Sequence, residues 1–123
     1  MDVTPAIPAD RQVIDGYGDG GFRIAKTRHN GPVIVGSTAT TAWPEGATLD
    51  EAAAAAVVAA VGGAADVVLF GAGPVLTPPP MAFRSALKTA GLRIEPMDTG
   101  AACRTFNVLL SEDRRVAAAL LPI

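Results

Sequence analysis

The run Asp66-Val-Val-Leu-Phe70, followed by Gly71-Ala-Gly73, decides the fold. Four apolar residues stand between an aspartate and a glycine pair. A run this short and uniformly apolar reads as a central strand buried in a sheet. Pro74-Val-Leu-Thr-Pro-Pro-Pro80 cannot continue it, because proline brings no amide to a ladder. A helix is expected next, near Pro80–Ala90, stopped by Gly91. Leu92–Glu95 reads as the following strand. Asp98 or Thr99 then caps a helix over roughly Gly100–Glu112, in which Ala102, Phe106, Leu109 and Leu110 recur at helical spacing with Cys103 on the flank. Glu112-Asp-Arg114 is a turn, and Val116–Leu121 is a last strand closed by Pro122.

Working upstream from Asp66, Gly62-Gly63 stop a helix over about Leu49–Val61. Its start carries Thr48-Leu-Asp-Glu51, a capping-box spacing in which Thr48 accepts from the Glu51 amide and Glu51 reaches back. The helix is nearly all Ala and Val. It must be buried on most sides or covered by a partner. Pro44-Glu-Gly46 separates it from the strand Val33–Val35, which Thr38–Thr41 and Trp43 extend or flank. His29-Asn-Gly-Pro32 is a turn. Val13-Ile14 and Phe22–Ile24 are strands around the glycine-dense turn Asp15–Gly21.

The element order is β-β-β-α-β-α-β-α-β, an α/β fold. Short helical connections make parallel neighbours, and the N-terminal hairpin strands pair antiparallel, so the sheet is mixed. Helices are expected on one side of it, with the hairpin strands covering the other. Residues 1–11, with Pro5 and Pro8, read as an extended leader. Residues 12–123 show no repeat and no linker, and read as one domain.

Composition narrows the function. The 123 residues are 50% apolar and 18% charged, which argues against disorder. A net charge of −2 speaks against a nucleic-acid partner, which would select a basic face. One cysteine excludes an internal disulfide, and one histidine excludes every two-histidine motif. Residues 1–12 lack a basic region followed by an apolar one, and lack the Arg-rich character of a transit peptide. The most apolar stretch, Ala52–Ala65, is too short and too weakly hydrophobic for stable membrane insertion. A reducing cytoplasm is the expected address, and the free Cys103 agrees with it.

Four places invite a chemical reading. Asp15, Asp19 and Gly20 fit three positions of a calcium loop, but Tyr17 fails the third ligand position and Lys26 the twelfth; a hairpin turn explains the residues better. Gly71-Ala-Gly73 stands where dinucleotide folds hold pyrophosphate, but position 76 is Leu and four prolines strip amides from the loop. A close strand-to-helix turn is the alternative, and a small anion on the helix N-terminus stays open. The cluster Asp98, Thr99, Cys103, Arg104, Thr105 and Asn107 lies at the strand edge where ligands of open α/β sheets bind. Arg104 suits a carboxylate or phosphate, and Cys103 near a helix start suits a lowered thiol pKa. Equally, Asp98 and Thr99 are ordinary caps, Cys103 is a small buried hydrophobe, and Arg104 pairs within the fold. His29 has no nucleophile motif beside it, and no metal-ligand spacing is present.

The C-terminal third carries a resemblance. Met97, Thr99, Ala102, Thr105, Phe106 and Asn107 meet the pattern Met-x-Thr-x-x-Ala-x-x-Thr-[Phe/Tyr]-Asn. Ile14-Asp-Gly-Tyr-Gly, Phe22-Arg-Ile, Trp43-Pro and Leu69-Phe-Gly-Ala-Gly73 accompany it upstream. The chain resembles a family of small domains of unknown function whose eukaryotic relatives include the mitochondrial NADH dehydrogenase (complex I) assembly factor 3. The resemblance implies a three-layer β/β/α domain and an assembly or interaction role, and it transfers no catalytic residue. With no mitochondrial leader read in residues 1–12, the chain is expected to be a bacterial-type, cytosolic member.

The expected function is therefore a non-enzymatic binding or assembly module, with no cofactor and no metal. Its partner is a protein, and the chain itself is a monomer or small homo-oligomer. The helix Leu49–Val61 and the loop 74–80 are the expected contact surfaces. The alternative is a small-ligand or anion-binding protein, or an enzyme, with a pocket formed near Gly71, Gly73, Asp98, Thr99, Cys103 and Arg104.

Overall fold

The computed structural model describes residues 11–123; the expected leader lies, but for Arg11, outside them. Strand β6, Val67–Gly71, sits between β7 (Arg93–Met97) and β8 (Val116–Leu120), parallel to both. On the far side of β8 runs β4 (Val33–Val35), antiparallel to it, and β5 (Thr40–Ala42) closes that edge. The sheet order is β5-β4-β8-β6-β7, mixed as expected. A second sheet, β1-β2-β3, is built from Ile14–Gly18, Gly21–Ile24 and Thr27–Asn30, all antiparallel.

Alternation along the inner strands builds two cores. Val68 and Phe70 of β6, Ala117 and Ala119 of β8 and Ile34 of β4 face one cluster. Leu69, Val116, Ala118, Leu120, Val33 and Val35 face the other. Both faces are thus buried, which is why β6 and β8 read as unbroken apolar runs. Helices α1 (Glu51–Val61) and α2 (Met81–Thr89) cover the first face. There Trp43 and Phe70 pack on Phe83, with ring centroids 5.9 and 5.7 Å away. The indole Nε1 of Trp43 donates to the Ala53 carbonyl at 3.1 Å. Helix α3 (Thr99–Ser111) lies on the opposite face with the small sheet. The result is three layers: two helices, a five-strand sheet, and a layer shared by α3 and β1–β3.

Four local expectations are corrected. First, the helices do not all lie on one side: Ala102, Cys103, Phe106 and Leu110 turn α3 into the core under Phe22 and Ile24. Second, only α2 joins adjacent parallel strands; α1 leads from β5 to β6, which are separated by β4 and β8, and α3 crosses over β6. Third, α1 is capped by Asp50, whose carboxylate accepts from the Ala53 amide at 3.0 Å, while the Thr48 hydroxyl donates to the Glu45 carbonyl. A 3-10 turn over Pro44–Ala47 takes up the intervening chain. Fourth, Asp15–Gly18 belongs to β1, and His29 lies half-buried in β3, paired with Phe22, rather than in a turn. Strand β3 carries no large apolar residue, so periodicity gives no signal for it. The β2–β3 turn hides equally well: Ala25 and Lys26 adopt φ of 48° and 68°, where glycine or asparagine is usual. The Asp15 carboxylate accepts from the Lys26 amide at 2.7 Å and helps hold that turn.

Candidate functional site

The sequence places its candidate residues where β6 ends and α3 begins, and the structure brings them together. Thr99 is fully buried at the centre. Its hydroxyl donates to the Leu121 carbonyl at 2.7 Å and accepts from the Gly73 amide at 2.9 Å. Its own amide donates to the Gly73 carbonyl at 2.8 Å. Beside it the Ala72 amide donates to Met97 and the Leu121 amide to Gly71, each at 2.9 Å. One threonine therefore stitches the ends of β6 and β8 to the first turn of α3. A buried hydroxyl survives only with such partners.

Gly71 is required by close approach. A Cβ built there would lie 2.8 Å from Leu120 Cδ2, 3.0 Å from Thr99 Oγ1 and 3.1 Å from Thr99 Cα. Leu120 is fully packed, so none of these atoms has room to retreat. Gly73 takes φ of 101°, which favours glycine. Asp98 caps α3, its carboxylate accepting from the Ala101 amide at 2.9 Å.

Cys103 is 2% exposed. Burial pushes its thiol up to about 12, against the pull of the Arg104 guanidinium, and the Asp98 carboxylate adds to the rise. The helix start does not activate it; at neutral pH it is a protonated, packed side chain. Arg104 is exposed, and its Nη1 donates to the Tyr17 hydroxyl at 3.1 Å. That hydroxyl rests over Gly100, where a Cβ would come within 2.7 Å of it. Asn107 completes the join: its side chain donates to the Ile14 carbonyl and accepts from the Ile14 amide, both at 2.9 Å.

The residues of the sequence pattern thus act on the backbone. Thr99 clamps two strand ends, Ala102 and Phe106 fill the core, and Asn107 ties α3 to β1. Tyr17 is not among the expected site residues: the sequence reading puts it in the Asp15–Gly21 turn, whereas it lies in β1 facing Arg104. Among the described residues no three His, Cys, Asp or Glu side chains gather to hold a metal ion. Asp15 lies near the start of β1 and Asp19 in the turn after its end, and the Asp15 carboxylate is taken by the Lys26 amide.

The expected contact surfaces are open. Val75 and Leu76 of the proline loop are 65% and 61% exposed. Helix α1 buries Ala53, Ala54, Val57 and Val61 and leaves Ala52, Ala55, Ala59 and Ala60 exposed. A further hollow, which the sequence reading did not single out, lies between α2 and β7. It has a volume of about 640 Å³ and is lined by Met81, Arg84, Ser85, Lys88 and Gly91–Ile94. Its only sequence signal is the pair Arg84 and Lys88, one helical turn apart on a helix without acidic residues.

Fold and strand-end geometry define a small three-layer α/β domain whose polar residues at the sheet edge serve the backbone. Residues 14–121 match the family described as "Protein of unknown function (DUF498/DUF598)", and the chain belongs to that family. It is similar to an uncharacterised protein of Rhodobacter capsulatus, 42% identical over 110 residues that cover 89% of this chain and 84% of that one. It is also similar to the mouse NADH dehydrogenase [ubiquinone] 1 alpha subcomplex assembly factor 3, 29% identical over 89% of this chain. The match spans 60% of that assembly factor's length. Among solved structures, a protein described as an outer membrane protein of Bartonella henselae superposes with a TM-score of 0.78 at 35% identity, covering 93% of this chain and 97% of its own. Among the described residues, no helix is long and apolar enough to cross a membrane.

Proposed function

We propose that this protein is a non-enzymatic binding module that acts in the cytoplasm on a protein partner during assembly of a respiratory NADH dehydrogenase. The observation that carries the reading is the use to which the strand-end residues are put. Thr99, Asp98 and Gly73 spend their hydrogen bonds on backbone, and Cys103 is buried as a neutral thiol. The likeness to assembly factor 3 over most of the chain supplies the kind of partner. In this reading Gly71, Gly73, Asp98 and Thr99 shape the sheet edge. Arg104, at the exposed rim of that edge, joins α3 to Tyr17 of β1.

Deletion of the gene in its native host tests the proposal. The expected result is loss of fully assembled NADH dehydrogenase on native gels, with smaller subcomplexes accumulating. Normal assembly in the deletion strain would overturn it.

A further inference from the structure

We propose that the groove between α2 and β7 is the docking site for an acidic segment of a partner protein that also carries an apolar side chain. The inference rests on the binding-module reading and deepens it by naming the partner's chemistry.

Charge comes first. The chain carries a net charge of −2, yet Arg84 and Lys88 line this hollow from α2, and α2 contains no carboxylate. Among the described residues, neither Arg84 nor Lys88 makes an ion pair. Ile94 packs into the core under α2, so alternation turns the Arg93 side chain to the other face of the sheet, where it pairs with Glu95 at 3.3 Å.

Shape comes second. Arg84 and Lys88 stand four residues apart on one wall, with Met81, 73% exposed, at its start. Leu92 and Ile94 give the facing side an apolar character. At about 640 Å³ the hollow is in the range that small ligands and short segments fill. An apolar side chain entering it would meet Leu92, Ile94 and Met81, with carboxylates on either side reaching the cations.

The strand edge argues that side chains do the holding. Strand β7 is an edge strand. The Met97 carbonyl accepts from Ala72, so Met97, Glu95 and Arg93 aim their backbone groups at β6 by alternation. Ile94 and Pro96 face outward, and Pro96 has no amide to give. A segment added as another strand would find only the Ile94 amide and the two carbonyls. Carboxylates on Arg84 and Lys88 offer more, and they make the contact salt-dependent.

The test uses the full chain in its native host, with a photoreactive residue in place of Lys88 and, separately, of the exposed Val108 on α3. Crosslinked peptides are then sequenced. The expected product at position 88 is a partner segment with two or more carboxylates near an apolar residue, absent from the Val108 control. A synthetic peptide of that segment should bind the purified protein. Its Kd should weaken at least about tenfold in Arg84→Glu/Lys88→Glu, and again when salt is raised to about 0.5 M. Both substituted residues are exposed, and an anion in the last turn of α2 lowers the Tm by only a few degrees, so the double variant stays folded.

A crosslinked segment without carboxylates, a crosslink to lipid, no crosslink at position 88, or an affinity unchanged by the charge reversal would each overturn the groove. If respiratory subunits are captured only from position 108, the groove is wrong and the assembly role stands. If the deletion strain assembles its NADH dehydrogenase normally while position 88 captures an acidic segment, the assembly role is wrong and the groove stands.

Discussion

The carboxyl end of β6 and the groove beside α2 both gather polar residues at the margin of the same sheet, and they use them in opposite ways. At the strand end, Thr99, Asp98, Gly71 and Gly73 are closed onto backbone within 3 Å, and Cys103 is sealed beneath them. In the groove, Arg84 and Lys88 point their charges into solvent, with no acidic neighbour on their helix. A buried side chain whose hydrogen bonds are all met within the fold has little left to offer a ligand. By that criterion Asp98 and Thr99 read as architecture, and the groove is the surface proposed for a partner.

The comparison breaks most readily on its closed side. Phe106→Ala should cost about 3–5 kcal/mol in urea unfolding, because a fully buried ring between α3 and the sheet is lost. Thr99→Val should cost about 1–3 kcal/mol, since the Gly73 amide and Leu121 carbonyl lose a buried partner. Thr99→Ser keeps the hydroxyl and should recover most of that loss. Equal destabilisation by Val and Ser would deny the clamp. Gly71→Ala should fall in a similar range, about 1–3 kcal/mol, from overpacking against Leu120 and Thr99.

Cys103 sharpens the contrast through pH. Its thiol is raised in the fold from 9.0 to about 12. The folded state therefore holds this proton more tightly than the unfolded chain does. The resulting stability is complete below pH 9 and falls as pH climbs towards 12. Wild type should lose stability over that interval more steeply than Cys103→Ala, as read from urea midpoints at several alkaline pH values. Iodoacetamide near neutral pH should label Cys103 only after unfolding, and rapid native labelling would contradict the burial. The smallest effect is reserved for the open side. Arg84→Glu/Lys88→Glu should leave unfolding free energy within about 1 kcal/mol of wild type, the loss coming from Lys88 in the last turn of α2, while weakening partner binding.

Much of the fold is legible in the sequence because burial leaves a pattern. The apolar run Val67–Phe70 names the inner strand, and Gly62, Gly91 and Asp98 mark helix ends through backbone geometry and capping. Strand β3 is hidden because Thr27–Asn30 buries little, and its turn uses Ala25 and Lys26 where glycine would have signalled it. The side of the sheet that α3 takes is equally silent, since an apolar stripe says that a helix is buried and not against which face. At the site, residue types suggested both chemistry and capping. Only the hydrogen bonds of Thr99 and Asn107 separate the two. The α2–β7 groove joins residues from two elements, and spacing within one helix reveals only half of it.

The division of labour between closed strand end and open groove meets its most direct test in complementation. Two folded variants are returned to a strain lacking the gene, Cys103→Ala/Arg104→Ala and Arg84→Glu/Lys88→Glu, and NADH dehydrogenase assembly is measured on native gels. Restoration by the first and failure by the second is the expected result. Failure of the folded Cys103→Ala/Arg104→Ala protein, with restoration by the groove variant, would place the function at the strand edge and contradict it.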